Sequence, residues 1–253
     1  MSWPSSKAGD YAQRRPGARS PASLERNYLL AILPPAQLQA LSPHLEQVYL
    51  TRGTCLYESG HSLSHVHFPI RGIVSLGYVA ANGDTTELAV VGPEGVVGVE
   101  AFLGSEKSGY RAEVQTMCVA YRMRVGVARS KFAEGGALQQ VVLKYSLGLL
   151  LQISQTSICN LHHSLEQRLC RSLLQCVDRV ASNTLPMTQD VLASLVGARR
   201  QGISEAVQKL RDRGLIAYER GSITVLDRAG VLASACECYA AVQAHIERLL
   251  SVV

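Results

Sequence analysis

Three consecutive residues, Arg199, Arg200 and Gln201, head a stretch whose polar positions continue at Ser204, Glu205 and Gln208. Helical spacing sets these on one side and Ile203, Val207 and Leu210 on the other. The polar side can recognise planar hydrogen-bonding edges. An arginine donates two parallel bonds to guanine O6 and N7, a glutamine pairs with adenine, a glutamate accepts from cytosine N4, and a serine serves several bases. Lys209, Arg211, Arg213 and Arg220 suit phosphate oxygens, which position a duplex without reading it; Thr188 and Gln189 suit uncharged phosphate contacts. The bland alternative is an internal helical hairpin with a solvated basic face.

What precedes and follows the stretch decides between these. Thr188 is placed to N-cap a helix that buries Val191, Leu192, Leu195 and Val196. Gly197 suits the left-handed residue that ends such a helix. A second helix, roughly 199–213, stops at Gly214. Two short helices around a glycine turn make a helix-turn-helix. Leu215-Ile-Ala-Tyr and Ile223-Thr-Val-Leu, joined through Glu219–Ser222, form a hairpin beside it: a wing. Gly202 costs about 1 kcal/mol against alanine in a helix interior; either it permits close approach to a DNA backbone or it is tolerated near the helix start.

From Leu45 to Phe132, short β-rich runs alternate apolar and polar residues and are broken by glycine every 8–12 residues or so, the pattern of an antiparallel barrel or sandwich. Ala81-Asn-Gly-Asp reads as a hairpin turn and Gly92-Pro-Glu-Gly95 as another. After Gly135-Gly136 the chain turns helical. Leu138, Val142, Tyr145 and Leu149 follow a 4-3-4 spacing and are expected to form a dimer seam, while the apolar Leu143, Leu147, Leu150 and Leu151 are expected to pack on the β-domain. Ser164-Leu-Glu-Gln167 is a capping box. Residues 228–250 read as helical, N-capped by Asp227, with packing inside the chain as the default. The organisation is α+β: a tail at 1–22 expected to be disordered, a β-domain at 23–134, a dimerisation helix at 135–163, and a winged helix-turn-helix with an extra C-terminal helix at 164–253.

The order of glycine-punctuated β-roll, long helix and winged helix-turn-helix resembles the Crp/Fnr family of bacterial transcription regulators. The match runs from about Leu38 to Leu226, and residues 188–216 look like the family's DNA-binding motif without a gap. The resemblance implies a cyclic-nucleotide-binding-like jelly roll, a homodimer, a two-fold DNA operator and contact with RNA polymerase. It assigns guanine reading to Arg200. Gln201 and Glu205 carry over by position alone, because the family often has glutamate after that arginine and another arginine further along.

In nucleotide-binding members a Gly-Glu pair holds the ribose hydroxyls and an Arg-Ser pair grips the cyclic phosphate. Here Gly98 is followed by Val99, with Glu100 one step later and expected on the other strand face. Arg111 has no serine after it. These four mark the effector pocket, and cyclic nucleotide is not expected to bind. An iron–sulfur cluster is not expected either, since the N-terminal tail has no cysteine. Haem through a histidine stays open, and no cofactor is assigned. His61, His65 and His67 lack a completing carboxylate or thiol. Cys236 and Cys238, two apart on one helix, should point about 200° from each other, so no metal site is expected. A cupin-like enzyme or small-molecule-binding protein built on His65, His67 and Glu113 is the competing reading.

Composition agrees with a DNA-binding regulator. The 253 residues are 47% hydrophobic and 18% charged, and no uninterrupted apolar run is long enough to span a bilayer. The net charge of +5 is uneven: residues 28–163 balance nine basic against nine acidic, while 197–220 holds six basic and three acidic. A local basic patch favours polyanions. The basic tail has no apolar core of a secretory signal. The seven cysteines are expected as reduced thiols in a cytoplasm.

Overall fold

Residues 24–80 and 85–250 are described by the structure, a computed structural model. The tail at 1–22 and the 81–84 turn lie outside the described residues. Two short helices, α1 (Tyr28–Ala31) and α2 (Pro35–Leu41), lead into strands β1 (Glu46–Leu50), β2 (Cys55–Tyr57), β3 (His65–Arg71), β4 (Val74–Val79), β5 (Thr85–Val91), β6 (Arg111–Val114) and β7 (Cys118–Arg124). These form two antiparallel sheets, ordered β1-β7-β3 and β2-β6-β4-β5. Their alternating positions, among them Val66, Phe68, Val74, Leu76, Val91, Val114 and Tyr121, close on a common core. Gly72 is held at φ +83°, and a Cβ there would lie 2.4 Å from the Met117 carbonyl oxygen, so the corner between β3 and β4 needs glycine.

Helix α3 (Val125–Ala133) ends before Gly135 and Gly136, both at positive φ, and α4 (Ala137–His162) follows. Here one expectation is overturned. Leu138, Val142, Tyr145 and Leu149 are only 1–6% exposed, because they close the roll's own core. They are no surface for a partner. Of the four residues expected to pack inward, Leu143, Leu147 and Leu150 are 49–58% exposed and Leu151 is half-buried; Ile158 and Leu161, further along the helix, are exposed too. Both stripes satisfy heptad spacing, and the pattern does not say which one the roll takes.

The capping box at Ser164 forms, with Gln167 N–H donating to Ser164 Oγ and Ser164 N–H to Gln167 Oε1. It opens α5 (Leu165–Val180). Then come β8 (Thr184–Leu185), α6 (Gln189–Val196), α7 (Arg200–Asp212), β9 (Ile216–Glu219) and β10 (Ser222–Val225). Strand β8 joins the wing hairpin, giving a three-stranded sheet ordered β8-β10-β9. Leu169, Leu173, Leu192, Leu195, Ile203, Val207, Leu210 and Ile223 form a second core.

The C-terminal segment is two helices, α8 (Arg228–Ser234), capped by Asp227, and α9 (Cys238–Leu250). The chain breaks at Ala235–Glu237, so Cys236 precedes α9 and the angle expected between Cys236 and Cys238 on one helix does not apply. Helix α9 packs on α4 and α5 of its own chain, the intramolecular role expected.

Ile73 and Val90 of the roll pack into the second core, and polar contacts flank them. Arg179 of α5 pairs with Glu94 of the Gly92–Gly95 turn at 2.5 Å, both side chains at most 10% exposed. Thr85 Oγ1 of β5 lies 3.0 Å from Ser194 Oγ of α6.

Candidate nucleic-acid interface

Helix α6 is fixed at both ends. Thr188 Oγ1 accepts from the Val191 N–H at 3.3 Å, and Gly197 closes the helix at φ +61° in the left-handed region. Arg199 is the N-cap of α7, in extended conformation, and the chain re-enters helix at Arg200. Ile203, Ala206, Val207 and Leu210 are buried, so the opposite face must look outward. Arg199, Arg200, Gln201, Glu205, Gln208 and Lys209 are exposed on it.

The predicted site residues divide by what else they touch. Arg200 Nε lies 3.4 Å from Asp190 Oδ1, with both side chains about two-thirds exposed. Such an open pair is weak and leaves the guanidinium available. Ser204 is half-buried and donates to Gln189 Oε1 at 2.7 Å, a bond that ties α7 to the start of α6. Arg211 donates to Gln208 Oε1, and Gln208 in turn to Asp212. Arg213 is committed internally, to Glu166 at the head of α5 and to Ser234 Oγ. It braces α7 against its neighbours, with half of its side chain still exposed.

Gly202 has a cause other than DNA. A Cβ there would sit 2.9 Å from Leu165 Cδ2, so the glycine admits α5 against α7. At the wing tip both central residues have positive φ, Arg220 at +48° and Gly221 at +77°, the geometry of a type I′ turn. Arg220 is held there, exposed, at the end of the hairpin.

In the β-roll, Gly98 takes φ +87° and starts a 3-10 turn over Val99–Ala101. Strand alternation therefore does not decide where Glu100 points, and Val99 is buried. The Glu100 carboxylate accepts from Ser108 Oγ at 2.9 Å and Tyr110 Oη at 3.1 Å. Burial, and then the nearby Glu100 charge, push the Tyr110 hydroxyl well above its ordinary pKa. Arg111 is gripped by two carboxylates, Glu58 and, at 2.7 Å, Glu113. A phosphate approaching it meets neutralised charge.

His67 is only 8% exposed. Burial, and then the neighbouring His65, pull its pKa down to about 4. Glu113 belongs to the other sheet and is occupied by Arg111, so it does not join His65 and His67 in a barrel active site.

Comparison with known proteins follows these divisions. The family model of the cyclic nucleotide-binding domain matches residues 47–134, and that of the Crp-like helix-turn-helix domain matches residues 167–233. A CRP-like cAMP-activated global transcriptional regulator of Mycobacterium tuberculosis is 24% identical over 200 residues, covering 76% of this chain and 89% of that protein. A global nitrogen regulator of Synechococcus elongatus is 23% identical over 185 residues, covering 70% and 83%. A CRP-family transcriptional regulator of Thermus thermophilus has a similar crystal structure, with a TM-score of 0.65 at 20% identity, covering 74% of this chain and 96% of that one.

Proposed function

The chain belongs to the Crp/Fnr family of bacterial transcription regulators, and on that premise we propose that it acts as a homodimer on a two-fold operator in double-stranded DNA. Helix α7 of each protomer enters a major groove, with Arg199, Arg200, Gln201, Ser204 and Glu205 at base edges and Thr188, Gln189, Lys209, Arg211 and Arg220 at phosphates. Contact with RNA polymerase and a cytoplasmic location belong to the same reading and rest on family membership. Among the described residues no helix is long and apolar enough to cross a membrane.

The observation that carries the reading is α7 itself. Its apolar face is buried while its first turn offers two arginines and a glutamine to solvent. The seam assigned to the dimer is the exposed stripe of Leu143, Leu147, Leu150, Ile158 and Leu161, which supplies the paired apolar face that a two-stranded contact requires. Two-fold pairing sets half-sites one helical turn apart, about 34 Å on one face of the duplex.

The test is selection of bound sites from a randomised duplex library, followed by band-shift competition. Arg200→Ala is expected to lose about 1–3 kcal/mol of discrimination at one base position in each half-site while non-specific binding persists. Equal weakening on every sequence would refute base reading by Arg200, and no retardation of any duplex would end the proposal.

The β-roll, in this reading, has lost cyclic nucleotide binding. Support comes from Arg111, whose charge is already met by Glu58 and Glu113, and from Glu100, whose oxygens are taken by Ser108 and Tyr110. Calorimetric titration with cyclic AMP and cyclic GMP is expected to give no binding heat. A saturating isotherm, as the name of the mycobacterial relative would suggest, overturns this part alone.

A further inference from the structure

Four side chains from two distant parts of the chain converge where α4 ends. Cys159 lies in the last turn of α4 and His163 caps it; Cys236 stands in the α8–α9 break and Cys238 begins α9. Their donor atoms all lie within 4.8 Å of one another. The three cysteines are at most 4% exposed, and the His163 side chain is 13% exposed. From these positions we infer that Cys159, His163, Cys236 and Cys238 bind one zinc ion tetrahedrally, joining the end of the long helix to the C-terminal helices.

The distances fit that ion. Zinc bonds of about 2.3 Å to sulfur and about 2.0–2.1 Å to nitrogen put tetrahedral edges at about 3.8 Å between sulfurs and about 3.6 Å between sulfur and nitrogen. Cys159 Sγ lies 3.5 Å from Cys236 Sγ, and Cys238 Sγ lies 3.4 Å from His163 Nδ1. Small outward shifts of the donors accommodate the metal. Three soft thiolates with one imidazole suit zinc. An iron–sulfur cluster would need its donors spread around several metal atoms, which this convergence does not provide.

The surroundings are those of a ligand set. His163 Nε2 lies 3.1 Å from Glu237 Oε1. A carboxylate on the far nitrogen orients a metal-bound imidazole, and it leaves Nδ1 facing the thiols. Gln155 Nε2 donates to Cys238 Sγ at 3.0 Å. A disulfide between Cys159 and Cys236 would use two of these groups and leave Cys238 and the oriented histidine without a task. Four protein donors also close the coordination sphere, which marks a structural ion.

The proposal does not rest on DNA binding, and its readout is metal content. The full chain, purified without chelator, is expected to carry about one zinc per chain by elemental mass spectrometry, falling below about a tenth in Cys159→Ser and in Cys236→Ser. Cys170→Ser, outside the cluster, is expected to keep the zinc. A cysteine variant that misfolds would also lose metal, so the wild-type chain stripped of metal is titrated with cobalt(II). Thiolate-to-cobalt charge transfer and tetrahedral ligand-field bands are expected, abolished by one equivalent of zinc. Less than about a tenth of an equivalent of zinc together with no cobalt bands, a Cys159–Cys236 disulfide in freshly prepared protein, or zinc retained in both cluster variants would overturn the site.

Discussion

Replacing Arg179 with alanine isolates the energy of the contact between the β-roll and the DNA-binding domain. The guanidinium is 4% exposed and the Glu94 carboxylate 10%. Arg179 Nε donates to Glu94 Oε1 and Nη1 to the Gln175 carbonyl at 3.0 Å. The Glu94 carboxylate also accepts from the Gly92 N–H at 3.3 Å, and a Cβ on Gly92 would run into the Arg179 side chain at 2.9 Å. Arginine removal strands a buried carboxylate, a loss of about 3–5 kcal/mol. For a chain of this size each kcal/mol moves Tm by about 2–4 °C, so a drop of roughly 6–20 °C is expected. The assay is thermal and denaturant unfolding of three proteins: wild type, Arg179→Ala, and the double variant Arg179→Leu with Glu94→Leu. The double variant is expected to recover most of the loss, because the desolvation of both charges disappears with them. A loss below about 1 kcal/mol in Arg179→Ala would mean the pair behaves as a surface contact, and the reasoning from burial would fail. A double variant as unstable as the single one would refute the desolvation argument in particular.

Other consequences are open to measurement. Leu147→Glu, on the exposed stripe of α4, is expected to shift the chain from dimer to monomer in analytical ultracentrifugation with its fold intact by circular dichroism; an unchanged dimer would remove that stripe from the seam. His67 titrates near 4 when folded and near 6.5 when unfolded, so the unfolded chain binds the extra proton between those values. Stability is therefore expected to fall as pH drops from about 6.5 to about 4, by at most about 1.4 kcal/mol per pH unit, and His67→Leu should flatten that window; a variant with the wild-type profile would contradict the assignment. With Lys209, Arg211 and Arg220 on phosphates in each protomer, six contacts give a slope of about −5 in log affinity against log salt. A flat salt response would rule out backbone contact.

The parts legible in the sequence are those fixed locally. Thr188, Gly197, Gly214 and Asp227 are caps or stops whose chemistry acts within a few residues, and each does its expected work. The strands of the roll announce themselves by alternation, and the capping box at Ser164 by its spacing. What the sequence does not show depends on three-dimensional neighbours. Two apolar stripes on α4 have equal periodicity, and only the roll's shape decides which is covered. Gly202 answers to Leu165, thirty-seven positions earlier. Arg213 resembles a phosphate donor in sequence because nothing local reveals Glu166 and Ser234 beside it. Cys236 and Cys238 escape the helical pattern through one break: a helix carried through Ala235–Glu237 separates thiols that the actual bend brings together. The spacing of Cys159 and His163 at i, i+4, facing a distant Cys-x-Cys, is the signal that could have found the cluster.

The contact between β5 and α6 has a mechanical consequence. Thr85 meets Ser194, and a Cβ placed on Gly197, where α6 ends, would stand 3.5 Å from Thr86 Cγ2. One strand of the roll thus braces the helix that leads into α7, while Glu94 holds Arg179 at the far side of the same boundary. Moving the reading head away from the roll as one block therefore costs both contacts, the exposed hydroxyl pair and the buried ion pair. Rotation about either contact strains the other, so the two together restrict the head more than one alone.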